Sequence, residues 1–248
     1  TDNDYGAKLP TRLKAWREAS YQTPKAESFN VSKDGDKSIV KVTYRFPQVD
    51  AQWEITYKVF ANGIIKVDNR FVAEGTETPM IPRVGLRMQL SEILNDLTYY
   101  GRGPEENYRD RRTSQFIGEY TTPIKDLYEP YISPQENEHS TDIYWCALTT
   151  KQKAGLLFIA DRTFELNASN YLLGSLDSGE TIDNGAPRTN ETNHRHLTDP
   201  QPVKQVDMFI DYRMMGVGGD NSWGAIAHEP YLIRPGVENA VSYTHLTL

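Results

Sequence analysis

The feature that most constrains the fold is a two-residue alternation of apolar and polar side chains in three consecutive segments. The alternation runs through residues 37–46, 52–60 and 64–72. A β-strand with one buried face requires this period, because successive side chains point to opposite faces of the sheet. The dipeptide Asn62-Gly63 separates the second and third segments, and it is the strongest short signal for a hairpin turn. The sequence therefore predicts a three-stranded antiparallel meander.

The rest of the chain is also dominated by strand patterns. Further strands are predicted at residues 83–90, 141–148, 155–160, 203–212, 230–233 and 238–243. The spacing of Leu13, Trp16 and Ala19 predicts a helix over residues 9–19, and a second short helix is predicted over residues 163–168. Many strands and few helices are typical of an antiparallel β-sandwich. No repeat or linker divides the sequence, so we expect residues 1–248 to form a single domain.

Composition and charge argue against several functions. The net charge of −7 repels phosphate backbones, so we predict no nucleic-acid partner. No apolar stretch is long enough to span a bilayer, so we predict no membrane partner. Cys146 is the single cysteine and follows Trp145 in an apolar run, which indicates a core residue rather than a disulfide or a metal ligand. These features do not distinguish a cytoplasmic from a periplasmic location.

The segment 215–224 is the strongest candidate for a binding function. It is rich in glycine, which permits tight or left-handed backbone conformations. Asp220 and Asn221 supply hydrogen-bonding groups beside the flat apolar face of Trp223. A sugar presents a C–H-rich face and a rim of hydroxyl groups, so this pattern indicates a sugar platform. A glycine-rich turn followed by a core tryptophan is the alternative interpretation.

Other polar segments are interpreted as structural. Residues 99–111 place charges of both signs around a turn, which favours a loop held by arginine–carboxylate pairs over a site for a polar ligand. His194 and His196 would share one strand face, but no third ligand lies nearby, so we predict no metal site. Glycoside hydrolysis needs two facing carboxylates. No acidic pair stands in such a setting, so we predict no catalytic residue in this chain.

Several motifs together resemble one protein family. Residues 101–111 match the pattern Gly-x-Gly-Pro-x-Glu-Asn-Tyr-x-Asp-Arg. The accompanying segments occur in the same order as in that family and cover nearly the whole chain; they are residues 1–6, 82–86, 128–131, 134–137, 193–197 and 215–223. The set resembles the last domain of the large family-two β-galactosidases. Residues 242–248 depart from the closing strand of that family.

The resemblance implies a fold and a role. The fold would be all-β, a large antiparallel β-supersandwich like that of the galactose mutarotases. The catalytic glutamates of a retaining β-galactosidase would lie on a TIM barrel elsewhere in a longer chain, so this fragment alone would be inactive. Trp223 would contact the galactoside beside Asp220 and Asn221, and a loop that begins at Gly6 would border the site.

The resemblance also bears on cofactors and partners. The partners of this chain would be the catalytic barrel and the galactoside, and the full-length enzyme would be a homo-oligomer. Magnesium and sodium are expected in that enzyme, held mainly by residues outside this chain, so we assign no cofactor here.

Two alternative functions are compatible with the same fold. A stand-alone carbohydrate-binding module would need measurable sugar affinity without the barrel. An aldose epimerase would need a general acid and a general base beside the anomeric carbon of the sugar. His194 and His196 are the candidates for those groups.

Overall fold

Antiparallel β-strands form the framework of the protein, whose structure is a computed structural model. It describes residues 1–22, 24–75, 78–176, 196–221 and 223–247. In the described residues the strands are β1 (Ala26–Asp34), β2 (Lys37–Phe46), β3 (Ala51–Phe60), β4 (Ile65–Ala73), β5 (Arg83–Ser91), β6 (Asp96–Gly103), β7 (Phe116–Pro123), β8 (Ser140–Thr149), β9 (Gly155–Ser169), β10 (Gln205–Met214) and β11 (Asn239–Thr247). The helices are α1 (Asp2–Gly6), α2 (Leu9–Arg12), α3 (Lys14–Tyr21) and α4 (Leu173–Leu176).

The long strand β9 connects two branches of the sheet. The main path runs in the order β1-β2-β3-β4-β11-β9-β8-β6-β7, and the neighbouring strands are antiparallel. The first part of β9 pairs with β11, whereas residues 165–169 pair with β10, which in turn pairs with β5. The end of β9 therefore lies beside the strands of the second branch.

The main hydrophobic core is built from the inward-facing side chains of β6, β8, β9 and β10. Leu148, Phe164 and Met208 are each no more than 1% exposed within it. Cys146 is fully buried in the same cluster, which confirms its assignment as a core residue. Burial raises the pKa of its thiol, so this cysteine is an unreactive apolar side chain.

A second cluster holds the N-terminal helices against the glycine-rich loop. Leu9 and Leu13 pack with Met215, Ala227 and Leu232. Met215 lies at the start of the loop, and Ala227 and Leu232 follow its end. The cluster therefore places the N-terminal helices beside the glycine-rich loop.

Much of the predicted strand pattern is confirmed. In the meander, Val42 lies opposite Ile55, and Ile55 lies opposite Asn69. Strands also occupy the predicted positions around residues 83–90, 141–148, 155–160, 203–212 and 238–243, which confirms an all-β antiparallel fold. The helix predicted over residues 9–19 is present as α2 and α3, which meet at Leu13. No helix in the described parts of the chain has the length and apolar character needed to cross a membrane.

Two predicted elements are wrong. Residues 163–168 are not a helix but part of β9, because pairing with β10 outweighs the local spacing of apolar residues. Residues 230–233 are not a strand: Glu229–Tyr231 forms a 3-10 turn, and Ile233 makes only an isolated bridge to Ile81. Pro230 lacks the N–H group that a paired strand would use.

The substitution Ile210→Ala tests the assigned core. Ile210 is 1% exposed, so its truncation should leave a cavity. The free energy of unfolding should fall by roughly 2–5 kcal/mol. Urea unfolding followed by circular dichroism measures the change.

Ile132→Ala is the matched control, because Ile132 is 83% exposed. Its effect should be no more than about 0.5 kcal/mol. Equal losses of stability in the two variants would contradict the placement of the core.

Candidate functional site

Segments that are distant in the sequence meet around the glycine-rich loop. The side-chain amide of Asn3 donates a hydrogen bond to the carbonyl of Val217 at 3.2 Å. Gly224 lies so close to Gly6 that a Cβ at position 224 would collide with the Gly6 carbonyl oxygen. The fold therefore brings Gly6 next to the loop that carries Trp223.

The Trp223 side chain projects into solvent. It is 92% exposed, so the alternative of a core tryptophan is wrong for this residue. The Asn221 Oδ1 accepts the backbone N–H of Trp223 at 2.8 Å, and the Asp220 carboxylate pairs with Nε2 of His228. The hydrogen bond and charge of Asp220 raise the pKa of that imidazole. Asp220 and Asn221 thus shape the loop around the indole while remaining exposed.

The base of the loop wraps around the carboxylate of Asp110. Its Oδ1 accepts the N–H of Val217 at 3.1 Å, and its Oδ2 accepts the N–H of Gly218 at 2.8 Å. Gly218 and Gly219 have φ angles of +64° and +93°, a region that favours glycine. Sequence reasoning missed Asp110, because the backbone groups that it binds are more than 100 residues away in the chain.

A polar cleft of about 370 Å³ opens beside Asn3 and Val217. Its other walls come from Thr1 and from residues between 106 and 114 and between 131 and 136. The Tyr131 hydroxyl donates a short hydrogen bond to Glu106, and the N–H of Glu138 donates to the same carboxylate at 2.9 Å. Burial raises the pKa of Glu106, and these hydrogen bonds only partly oppose it.

Glu136 connects the cleft to a buried polar network. Its Oε1 accepts a hydrogen bond from the Asn167 side chain at 3.0 Å. Asn167 also accepts a hydrogen bond from Arg83, whose Nε donates to Asp211 at 2.6 Å. The loop that lines the cleft is therefore tied to strands β5, β9 and β10.

A buried imidazole–carboxylate pair lies in the same network. His139 and Glu165 are 0% and 4% exposed, and 3.2 Å separates the imidazole Nε2 from the carboxylate. The His139 ring stacks on Tyr108 with ring centroids 5.2 Å apart. Burial acts to lower the pKa of His139, but the hydrogen bond and charge of Glu165 outweigh it and the pKa is raised.

The charged loop at residues 99–111 is held by arginine–carboxylate pairs, as its composition indicated. Arg102 Nε donates to Asp142 at 2.7 Å, and Arg112 donates to both oxygens of that carboxylate at 2.8 and 2.9 Å. Arg109 donates to Glu165 at 3.3 Å.

The predicted histidine pair falls partly outside the described residues. His194 lies in the segment 177–195, which is not described, so the pairing with His196 is untested. The backbone N–H of His196 donates to the Asp199 side chain at 3.0 Å. Among the described residues, no group of three or more His, Cys, Asp or Glu side chains is arranged to hold a metal ion.

Comparison with known proteins shows the family. The sequence model described as β-galactosidase small chain matches residues 1–245. The chain is 31% identical over 233 residues to a β-galactosidase of Priestia megaterium and 30% identical over 237 residues to one of Streptococcus thermophilus. Each match covers 94% of this chain and 21% of the relative, so the chain spans about a fifth of these proteins. The chain belongs to the β-galactosidase small-chain family.

Solved structures are similar at low sequence identity. The galactosidase domain of an α-galactosidase–sucrose kinase has a TM-score of 0.44 at 10% identity, covering 90% of this chain and 27% of that one. An aldose epimerase homologue from C. elegans has a TM-score of 0.43 at 11% identity, covering 89% and 68%.

Glu138 carries a buried carboxyl group, and its backbone N–H contacts Glu106 in the wall of the polar cleft. The residue is 7% exposed, and its Oε1 has no hydrogen-bond partner among the described residues. Burial raises the pKa of Glu138 well above its ordinary value, and the nearby charges of Glu136 and Glu106 add to this effect.

This raised pKa predicts how stability depends on pH. The folded state binds the Glu138 proton more tightly than the unfolded state. The stability that this tighter proton binding gives the folded state is present below the unfolded pKa of about 4.3. It is lost as the pH rises through the folded pKa of Glu138. Glu138→Gln should gain stability relative to the wild type as the pH rises from about 4 towards 8, measured by urea unfolding at each pH. Glu129→Gln, at an exposed position, is the control. A difference between Glu138→Gln and wild type that stays constant with pH would show that Glu138 is not the titrating group.

Proposed function

We propose that this chain is the C-terminal part of a β-galactosidase and completes the galactoside-binding site of a catalytic TIM barrel elsewhere in the full-length protein. The whole enzyme would hydrolyse terminal β-galactosides with retention of configuration. The observation that carries this proposal is the 92% exposed indole of Trp223, presented on a loop whose base is hydrogen-bonded to Asp110. Its family relatives are β-galactosidases.

The exposed indole is suited to contact a sugar. Its ring offers a large flat apolar surface to the C–H face of a pyranose, and covering that surface removes apolar area from water. Asp220 and Asn221 lie beside it and can reach hydroxyl groups at the rim of the ring. The same surface has no partner within the described chain large enough to bury it, which fits a site shared with another domain.

The chemistry is assigned to residues outside this chain. A retaining glycosidase uses two carboxyl groups about 5–5.5 Å apart on either side of the scissile bond. Near Trp223, Asp220 is paired with His228, and Asp110 is occupied by backbone N–H groups. Neither is available as a nucleophile facing a second acid. The catalytic glutamates, with any magnesium or sodium, would come from the remainder of a homo-oligomeric enzyme.

The alternative functions have less support. An epimerase needs an acid and a base that reach the sugar. Of its candidates, His194 lies outside the described residues, so the pairing with His196 stays a prediction. The family relatives are β-galactosidases rather than epimerases. A stand-alone carbohydrate-binding module would use the same Trp223 surface. Calorimetry of the isolated chain with galactose and lactose distinguishes the stand-alone module from a domain that completes a shared site. A domain that depends on the barrel should release no heat.

Trp223→Ala in the full-length enzyme should weaken transition-state binding by roughly 1–3 kcal/mol. That loss corresponds to a decrease of about 5- to 150-fold in kcat/KM. Trp223→Phe should lose less, since it keeps an aromatic ring. Phe116→Ala is the control, because Phe116 is 74% exposed on β7. Unchanged kinetics for Trp223→Ala would remove this residue from the substrate site.

The isolated chain should hydrolyse no β-galactoside, because its proposed contribution is to binding alone. Release of nitrophenol from a nitrophenyl β-galactoside measures this directly. A folded preparation, verified by circular dichroism, is the necessary control. Turnover that co-purifies with the folded chain and weakens in Trp223→Ala would place catalytic groups within it.

A further inference from the structure

We infer that Asp110 is a positioning residue for Trp223: its carboxylate anchors the base of the glycine-rich loop and thereby sets where the indole stands. The effect of Asp110 on catalysis rests on the proposed function of Trp223.

The carboxylate of Asp110 accepts hydrogen bonds from consecutive backbone groups. The N–H of Val217 donates to Oδ1 at 3.1 Å, and the N–H of Gly218 donates to Oδ2 at 2.8 Å. Hydrogen bonds to a charged acceptor are about twice as strong as those between neutral groups. One side chain therefore orients two successive peptide units of the loop.

The loop is shaped to admit this carboxylate. A Cβ added to Gly216 would lie 2.6 Å from the Asp110 Cγ, so any side chain at position 216 would push the carboxyl group away. Asn3 holds the same stretch from the other side through the Val217 carbonyl. The base of the loop is thus clamped at Val217 and Gly218 by side chains from two other segments.

The clamped base controls the tip that carries Trp223. The N–H of Gly219 donates to the carbonyl of Ala225 at 3.5 Å, which closes the loop across its tip. Gly218 packs against the backbone of residues 225–227, where a Cβ would lie about 2.8 Å from the Ala225 oxygen. Trp223 lies within the segment closed by these contacts. A change in direction at the base would therefore move the indole.

Asp110 is itself presented by a rigid turn. Tyr108 and Arg111 exchange backbone hydrogen bonds of 3.1 and 2.8 Å on either side of it. Asn107, which is 0% exposed, donates its backbone N–H to the carbonyl of His139 at 2.7 Å and its side chain accepts from Thr141. The position of the carboxylate is therefore set by the buried network rather than by the exposed loop.

Fluorine NMR of the chain labelled with 5-fluorotryptophan tests the geometry. The sequence contains 4 Trp residues, so Trp16, Trp53 and Trp145 report on the rest of the fold. Trp223→Phe assigns the fourth resonance. Asp110→Asn should shift and broaden the Trp223 resonance alone, because the amide NH2 cannot accept the second backbone N–H.

Glu105→Gln is the matched control, since it removes the same charge from an exposed position in the same loop. It should leave all resonances in place. An unchanged Trp223 resonance in Asp110→Asn would overturn the inference.

A second variant keeps the experiment informative if Asp110→Asn does not fold. Gly216→Ala places a methyl group 2.6 Å from the Asp110 carboxyl group and 2.9 Å from the Ala227 Cβ, so it should also change the Trp223 resonance. The double variant should add little to either single variant, because both remove one interaction. If Asp110→Asn disturbs all the resonances, Gly216→Ala is measured instead, and an unchanged Trp223 resonance in that variant overturns the inference.

Kinetics of the full-length enzyme separate this inference from the proposed function. Asp110→Asn should raise KM by several fold with a smaller change in kcat, and Trp223→Ala should mask that effect. If the resonance moves but neither variant alters KM or kcat, the positioning role stands and the proposed role of Trp223 fails. If Trp223→Ala impairs the enzyme while Asp110→Asn leaves both the resonance and KM unchanged, the proposed function stands and the positioning role fails.

Discussion

The ion pair between the half-buried Arg83 and the buried Asp211 is the interaction on which the arrangement of the site depends. Arg83 opens β5 and Asp211 lies on β10, where it is 1% exposed. Burying the carboxylate of Asp211 has a desolvation cost, and removal of Arg83 would leave that carboxylate without its partner. The guanidinium offsets this cost with a further bond to Asn167 of β9 and a contact 4.2 Å above the Phe209 ring. The pair therefore fixes β5, β9 and β10 relative to one another.

Hydrogen bonds connect this ion pair to the turn that presents Asp110 at the surface. Asn167 joins the pair to His139, and the carbonyl of His139 accepts the N–H of Asn107. Asn107 stands at the start of the turn that presents Asp110. Side-chain bonds to backbone groups order this loop together with the apolar packing of Met215 and Ala227 against the N-terminal helices. An exposed tryptophan can thus be held by a rigid framework.

Rigidity matters if the binding site is shared between two parts of a polypeptide. A binding group on a mobile loop would lose conformational freedom when the substrate binds, and that loss would weaken affinity. Here the glycines that make the loop tight also admit the Asp110 carboxylate, so composition and anchoring act together. In the proposed role, the position of the indole would be set before the substrate arrives.

Sequence patterns predicted the meander and β5, β8, β10 and β11, and they missed β1, β6 and β7. The meander was predictable from its alternation, whereas β1 is exposed at every position and residues 164–169 of β9 are buried at every position, so neither alternates. Strand β6 does alternate in burial, but it ends in Gly101, Arg102 and Gly103, whose glycine and charge are typical of a turn. The sequence by itself determined the all-β class and the strands of the meander, and it indicated the glycine-rich segment as the binding candidate. Only the tertiary structure decided that Trp223 is exposed, that Gly6 contacts Gly224 and that Asp110 anchors the loop. Those properties depend on contacts between residues far apart in the chain, and local spacing carries no information about them.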